Sequence, residues 1–178
     1  MTSRRVGLVA AVLFVGTVWF ANWLLNKYGT VPVGFGLEAP AGVYAAGLAF
    51  TLRDIVHRTL GREVVILCIL AGCALAYLLS NGTIPGGHTS IAVASAVAFL
   101  LSELSDLSVY TPLAARNFIS AVVASNTVGV IIDSLIFLWL AFGSLALFWG
   151  QVVGKWWMTL AVLPLLFASR RVFRTAPA

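Results

Sequence analysis

Charged residues are scarce in this chain of 178 residues: lysine, arginine, aspartate and glutamate together make up 10% of it. Soluble globular domains carry about 25% charged residues. Hydrophobic residues make up 61% of the chain, and its mean hydropathy is +1.01. A soluble core cannot bury so much apolar surface in a chain of this length. The composition therefore predicts an integral membrane protein.

Histidine and cysteine are also scarce, with two of each. Cys68 and Cys73 fit neither a C-x-x-C redox motif nor a zinc pattern, and we interpret both as small core residues. The two histidines, His57 and His88, fall on opposite sides of the membrane in the arrangement below and cannot share a metal. The sequence predicts no metal, no cofactor and no enzyme activity. The net charge of +5 forms no basic stripe, which excludes nucleic acid as a partner.

Six apolar stretches are long enough to cross a bilayer as helices, and glycine or proline clusters separate them. The first connection, NKYGTVPVGFGLEAP, is predicted either to re-enter the membrane or to fold over the external mouth. We predict an all-α protein with six transmembrane helices in one bundle, forming a single domain over residues 1–178. The predicted helices are 6–26, 40–60, 63–80, 89–110, 117–143 and 150–169, each with an error of several residues.

The cations predict the orientation of this bundle. All nine arginines fall on one side of the six-span arrangement, whereas the two lysines, Lys27 and Lys155, fall on the other. Because positive residues are enriched in cytoplasmic loops, the arginine side is predicted to be cytoplasmic, with both termini inside.

Three of the six acidic residues, Glu103, Asp106 and Asp133, lie in stretches of predicted helices 4 and 5 that are otherwise apolar. A carboxylate near the bilayer centre costs about 2.5–3.5 kcal/mol, and such residues usually serve a function. Glu103, Asp106 and Tyr110 share one face of helix 4. Two carboxylates this close favour a proton on one of them, which would make it a proton carrier. The alternative is that both are solvated at the inner end of the helix and pair with Arg116.

Polar residues on three other helices extend the candidate site. Asn126 and Asp133 lie two turns apart on one face of helix 5 and form a short ladder for recognition; the alternative for Asp133 is a structural hydrogen bond to a neighbouring helix. Gln151 and Lys155 are four residues apart on helix 6. The alternative for Lys155 is to reach the membrane interface beside two tryptophans. Asn22 on helix 1 is either a site residue or a helix-packing residue.

Arg53 and Asp54 are adjacent near the inner end of helix 2. Neighbouring positions on a helix point about 100° apart, so we predict that these two side chains do not pair with each other. Asp54 can instead pair with His57 or Arg58. Either the group anchors the cytoplasmic end of the helix, or one side chain turns inward to hold a charge from another helix.

Four segments together resemble the VUT family, bacterial and phage-encoded membrane proteins named as vitamin uptake transporters. They are VPVGFGLEAPAGVYAAGLAFTLRD, SELSDLSVYTPL, RNFISAVVASNTVGVIIDSLIF and AFGSLALFWGQVVGK. The similarity covers about residues 20–160, and its most specific part is E-x-x-D followed by Tyr, Arg, Ser and then Asp-Ser. The resemblance implies a six-helix bundle similar to the substrate-binding subunits of ECF importers. The best-known members import the queuosine precursors preQ0 and preQ1, which are 7-deazaguanines.

The resemblance implies import of such a precursor across the bacterial inner membrane. The guanine edge offers two adjacent N–H donors, which a carboxylate accepts together. The predicted substrate contacts are therefore Asp133 or Glu103 to this edge and Asn126 or Gln151 to O6, with Tyr110 and Phe137 along the ring and Lys155, Asn22 and Asp106 completing the site. Asp106, Arg116, Arg53 and Asp54 are predicted to form an inner gate or charge pairs.

Two alternatives to a self-sufficient transporter stay open at this point. One is a binding subunit for a vitamin or nucleobase-like substrate that needs partner proteins, and the other is a membrane assembly protein that transports nothing. The small residues Ala41, Ala45 and Ala49 can pack helices within one bundle or between two chains, so a homo-oligomer is also open.

Overall fold

The computed structural model describes residues 3–80, 91–114 and 118–168. Six helices account for most of this part of the chain, and a short β-hairpin follows the first helix. In chain order the elements are α1 (Ser3–Tyr28), β1 (Thr30–Gly34), β2 (Leu37–Pro40), α2 (Val43–Leu60), α3 (Arg62–Ser80), α4 (Ile91–Ala114), α5 (Phe118–Phe142) and α6 (Phe148–Ala168).

Every helix end within the described ranges lies within four residues of its predicted position. The predicted starts at 89 and 117 and the predicted end at 169 lie outside those ranges. The chain turns sharply at Gly61 and Gly143, whose φ angles of 91° and 63° are in the left-handed region that glycine adopts without strain. The short connections after α2 and α5 therefore make α2–α3 and α5–α6 antiparallel neighbours.

The first connection folds as an antiparallel β-hairpin, in which Val31 pairs with Ala39 and Pro32 with Glu38. Its turn runs through Gly34, Phe35 and Gly36, all with positive φ. The hairpin packs against α6, and Trp157 Nε1, near the middle of this helix, donates to the carbonyl of Val33 at 3.0 Å. This side of the bundle, where α1 and α5 end and α2 and α6 begin, is called the hairpin side below.

The apolar core lies between α1, α2 and α3 and reaches α4 and α5 through aromatic side chains. Phe14, Phe50, Ile69 and Phe99 are at most 5% exposed. Close helix packing depends on small residues: a Cβ added at Gly47 of α2 would lie 3.0 Å from the backbone of Lys155 on α6. Ala45 and Ala49 are buried in the single chain, so these two small residues pack helices within one bundle.

The helices of the bundle differ in how closely they pack against one another. α4 and α5 pack against each other along their lengths, while α2 packs against α1, α3 and α6. The α4–α5 pair joins the rest of the bundle through α3 and α6. A seam therefore runs between α4–α5 on one side and α2 on the other, and polar side chains fill this seam.

The outer surface of the bundle suits a lipid environment. Large apolar side chains are exposed on several helices, among them Val12 at 74%, Leu67 at 64% and Trp139 at 63%. Two helical segments of the described chain, Arg4–Tyr28 and Val123–Phe142, are long and apolar enough to cross a membrane. By contrast, α2 carries three charged residues in 18, which lowers its hydropathy.

Candidate functional site

Two clusters of buried polar side chains lie in the seam. The arginine cluster consists of Arg53, Asp54, Glu103, Asp106 and Asn126, and the lysine cluster consists of Asp133, Ser134, Gln151 and Lys155. Asn126 and Asp133 belong to different clusters although they share one face of α5. Seven residues of helix separate them by about 10 Å along the axis, so the predicted ladder on α5 is split between the two clusters. The lysine cluster is the one nearer the hairpin side.

Arg53 is at the centre of the arginine cluster and is 1% exposed. Its Nη1 lies 3.1 Å from Oε2 of Glu103, and its Nη2 lies 3.3 Å from Oδ1 of Asp106, so the guanidinium joins α2 to α4. Nη2 also donates to Oδ1 of Asn126 on α5 at 3.4 Å. Arg53 therefore turns inward rather than anchoring the end of its helix.

The prediction that Arg53 and Asp54 do not pair is wrong. Nε and Nη2 of Arg53 donate to Oδ1 of Asp54 at 3.1 and 2.7 Å. The 100° offset between neighbouring positions fixes only the Cα–Cβ directions, and the long arginine side chain bends back to reach its neighbour. Arg116, which was predicted to belong to the inner gate, lies outside the described part of the chain. The same holds for the side chain of Tyr110, which was predicted to contact the substrate ring.

Lys155 is at the centre of the lysine cluster and is 1% exposed, so it does not extend to the membrane interface. Its Nζ donates to Oδ2 of Asp133 at 2.5 Å, to Oγ of Ser134 at 2.9 Å and to Oε1 of Gln151 at 2.6 Å. These three acceptors match the three N–H donors of an ammonium group. The pair of Lys155 and Asp133 has no net charge, which makes burial in the membrane less costly than for either ion alone.

A cavity opens between α1, α2, α4, α5 and α6 beside the lysine cluster. Asp133, Gln151 and Lys155 line one wall, and Asn22 and Ser95 line another. Ser95 Oγ donates to Oδ1 of Asn22 at 3.2 Å, but within the described residues Nδ2 of Asn22 has no hydrogen-bond acceptor although the residue is only 4% exposed. A buried donor without a partner costs about 1–3 kcal/mol, so this wall is suited to a ligand that supplies an acceptor.

Aromatic rings connect the cavity with the arginine cluster. Phe137 and Phe99 line the cavity. The ring of Phe99 lies 5.4 Å from that of Phe50, centroid to centroid, and Cζ of Arg53 lies 5.1 Å from the centroid of Phe50. Two phenylalanine rings therefore form an apolar layer between the floor of the cavity and the guanidinium group.

The structure brings only part of the predicted substrate site together. Five predicted residues line the cavity, namely Asn22, Asp133, Phe137, Gln151 and Lys155, while Glu103, Asp106 and Asn126 lie in the arginine cluster. Ser95 and Phe99 also line the cavity and were not among the predicted residues. Their spacing was a usable signal, because Ser95, Phe99, Ser102 and Asp106 follow one stripe of a helix at intervals of three or four residues.

A family model described as "Putative vitamin uptake transporter" matches residues 81–169, which is half of the chain. No curated protein and no solved structure matches the sequence. The matched stretch carries α4, α5 and α6 and therefore both carboxylates of α4, Asp133 and the whole lysine cluster.

Proposed function

The chain belongs to the vitamin uptake transporter family, a family of membrane proteins for small-molecule substrates, and from this premise we propose that it imports a queuosine precursor. The proposed substrate is a neutral 7-deazaguanine such as preQ0, carried across the bacterial cytoplasmic membrane. The proposed binding site is the cavity beside the lysine cluster.

The donor and acceptor groups of the cavity carry this proposal. An ionised carboxylate has about four lone-pair sites on its two oxygens. Lys155 contacts Oδ2 of Asp133, so the carboxylate retains acceptor capacity for the paired N1–H and N2–H donors of a guanine edge. The lysine also holds this carboxylate in a fixed position, which lowers the ordering cost of binding.

Donors for the opposite edge of the base are also present. Oε1 of Gln151 accepts a hydrogen bond from Lys155, which leaves the amide nitrogen of Gln151 as a donor for a ligand. Asn22 contributes from the other wall its Nδ2, which has no hydrogen-bond partner among the described residues. Carbonyl O6 of a deazaguanine supplies the acceptor that either amide needs, and the rings of Phe99 and Phe137 supply apolar surface for a flat heterocycle.

The charge balance of the cavity supports a neutral substrate. Among the described residues that line it, Asp133 and Lys155 are the charged ones, and they neutralise each other. The aminomethyl cation of preQ1 would require a second carboxylate, whereas the nitrile of preQ0 carries no charge. We therefore expect preQ0 to bind more tightly than preQ1.

The proposed transport path follows the bundle axis. In a six-span arrangement with both termini in the cytoplasm, the hairpin side faces outward, and the cavity lies nearer to it. The Phe50–Phe99 layer and the arginine cluster then close the inner side. Because Arg53 joins α2 to α4 and α5 across the seam, separating these contacts would open a path to the cytoplasm.

A thermal-shift binding screen tests the proposed site. Purified protein in detergent is heated with preQ0, preQ1, guanine or members of a vitamin panel, since a ligand that binds the native state raises its melting temperature. We expect stabilisation by preQ0, its loss in Asp133→Asn, and its retention in Glu38→Gln, a carboxyl-to-amide change on the exposed hairpin.

Two results would contradict the proposal. If a vitamin but no 7-deazaguanine stabilises the protein, the proposed substrate is wrong, whereas the proposed transporter class still holds. Unchanged preQ0 binding in Asp133→Asn would remove this carboxylate from the site. If Asp133→Asn does not fold, preQ0 binding is tested with the double variant Asp133→Asn/Lys155→Gln, which has no unpaired charge.

A further inference from the structure

The arginine cluster contains more negative than positive groups. Three carboxylates, those of Asp54, Glu103 and Asp106, face the single guanidinium of Arg53 within 3.3 Å. With every group ionised, the formal charge of this assembly is minus two. Glu103 and Asp106 are 2% and 5% exposed, so water cannot screen the excess. A buried charge without compensation is strongly unfavourable, so an added positive charge would stabilise the buried carboxylates of this cluster.

Glu103 is the carboxylate with the fewest stabilising contacts. Within the described residues neither Oε1 nor Oε2 receives a hydrogen bond, because Nη1 of Arg53 lies close to Oε2 without the alignment that a hydrogen bond requires. Asp54 instead accepts two hydrogen bonds from Arg53 and is 24% exposed. Asp106 accepts a hydrogen bond from Ser125. Glu103 is therefore the place in the cluster where an added positive charge is most favourable.

We propose that Glu103 is a proton-binding site, and that its protonation couples transport to the proton gradient. The coupling role rests on the transport function proposed above, whereas the proton site itself does not. In the binding step, one proton from water adds to a carboxylate oxygen of Glu103. The formal charge of the cluster then changes from minus two to minus one.

The surroundings of Glu103 favour a proton over a metal cation. Arg53, Asp54 and His57 from α2 and Asp106 from its own helix are the charged and titratable groups that act on it most strongly. From α5, the uncharged Ser125 and Asn126 face the same cluster. The guanidinium already occupies the space between the carboxylates, where a metal cation would have to sit. A proton needs only one oxygen.

Protonation would change the contacts across the seam. A neutral Glu103 no longer attracts Nη1 of Arg53, which removes one of the two ionic contacts between α2 and α4. The guanidinium also packs on Phe50, whose ring contacts Phe99 at the floor of the cavity. A movement of the guanidinium after loss of the contact to Glu103 would therefore be transmitted to the substrate cavity through the rings of Phe50 and Phe99. This is the structural link between proton binding and the closing layer.

Infrared spectroscopy tests the proton site without any substrate. Spectra of the protein in lipid at neutral pH record the C=O stretch of protonated carboxyl groups, identified by its shift in D₂O. We expect this band in the wild type and in the control Glu63→Gln, which changes an exposed carboxyl on α3. It is lost in Glu103→Gln, an isosteric mimic of the protonated side chain, and returns in Glu103→Asp. Absence of the band from the wild type, or its persistence in Glu103→Gln, would overturn the proposal.

Transport in proteoliposomes tests the coupling. An inward proton gradient should accelerate uptake of labelled preQ0 by the wild type. Glu103→Gln should take up substrate at the same rate with and without the gradient while it still exchanges substrate in counterflow. Stimulation by a sodium gradient alone, or equal stimulation of both proteins by protons, would overturn the coupling. If no deazaguanine binds at all, the proposed function fails, and the infrared result still decides whether Glu103 holds a proton.

Discussion

Lys155 and Asp133 are buried together, and each depends on the other for its charge balance. We predict that Asp133→Asn lowers the free energy of unfolding by about 3–5 kcal/mol, because removal of one partner leaves an uncompensated buried charge. The double variant Asp133→Asn/Lys155→Gln should recover most of this loss, since it has no unpaired ion. Melting temperatures in detergent measure the difference. Equal destabilisation of the single and double variants would contradict the pairing.

The polar residues of the lysine cluster could be singled out from the sequence, whereas their contacts could not. Asp133, Gln151 and Lys155 stand out because polar residues are rare in these apolar spans. Which of them meet was not predictable, because a partner depends on how far a long side chain reaches. Arg53 illustrates this: its Cα–Cβ direction points away from Asp54, but its guanidinium returns to it.

At the scale of elements, the contact between α6 and the hairpin depends on Gly150. A Cβ at this position would lie within 1.8 Å of the carbonyl oxygen of Glu38. Because that obstacle is backbone, we predict that Gly150→Ala displaces the hairpin and lowers the melting temperature. Gly16→Ala is the matched control: it adds a Cβ to a helical glycine with no atom within 4 Å, and should be neutral or stabilising by up to about 1 kcal/mol. Equal melting temperatures for both variants would exclude the close approach.

The helices were predictable in extent, whereas the hairpin was not. Apolar runs of about 20 residues bounded by glycine and proline indicate helix almost directly. In the connection between α1 and α2, prolines and glycines are too frequent to favour a strand. The hairpin forms there because Gly34 and Gly36 allow a tight turn and because Val33 and Ala39 pack with Val43 in a small apolar cluster.

At the scale of the whole molecule, the six-span arrangement with both termini in the cytoplasm stays a prediction. We expect Phe35→Cys, at the 81% exposed tip of the hairpin, to react with a membrane-impermeant maleimide in intact cells. Arg5→Cys should react only after the cells are lysed. Wild-type protein, in which Cys68 and Cys73 are buried, gives the background. Labelling of both variants in intact cells would contradict the orientation.

The contact of α5 with two different helices explains why the polar clusters could be only partly predicted. Periodicity identifies residues that share one face of one helix, as it did for Asn126 and Asp133. It does not identify which level of a neighbouring helix each residue meets. Here α2 meets α5 at Asn126, while α6 meets it at Asp133. One predicted ladder therefore serves two clusters.

Uptake of labelled preQ0 into proteoliposomes that contain this chain alone tests whether the chain transports preQ0 through the cavity beside the lysine cluster. We expect time-dependent uptake by the wild type, competition by unlabelled preQ0, and no uptake above empty liposomes by Asp133→Asn/Lys155→Gln. Binding of preQ0 without uptake would contradict a self-sufficient transporter and indicate a capture subunit that needs partners. Equal uptake by the wild type and the double variant would show that the cavity beside the lysine cluster is not the substrate site.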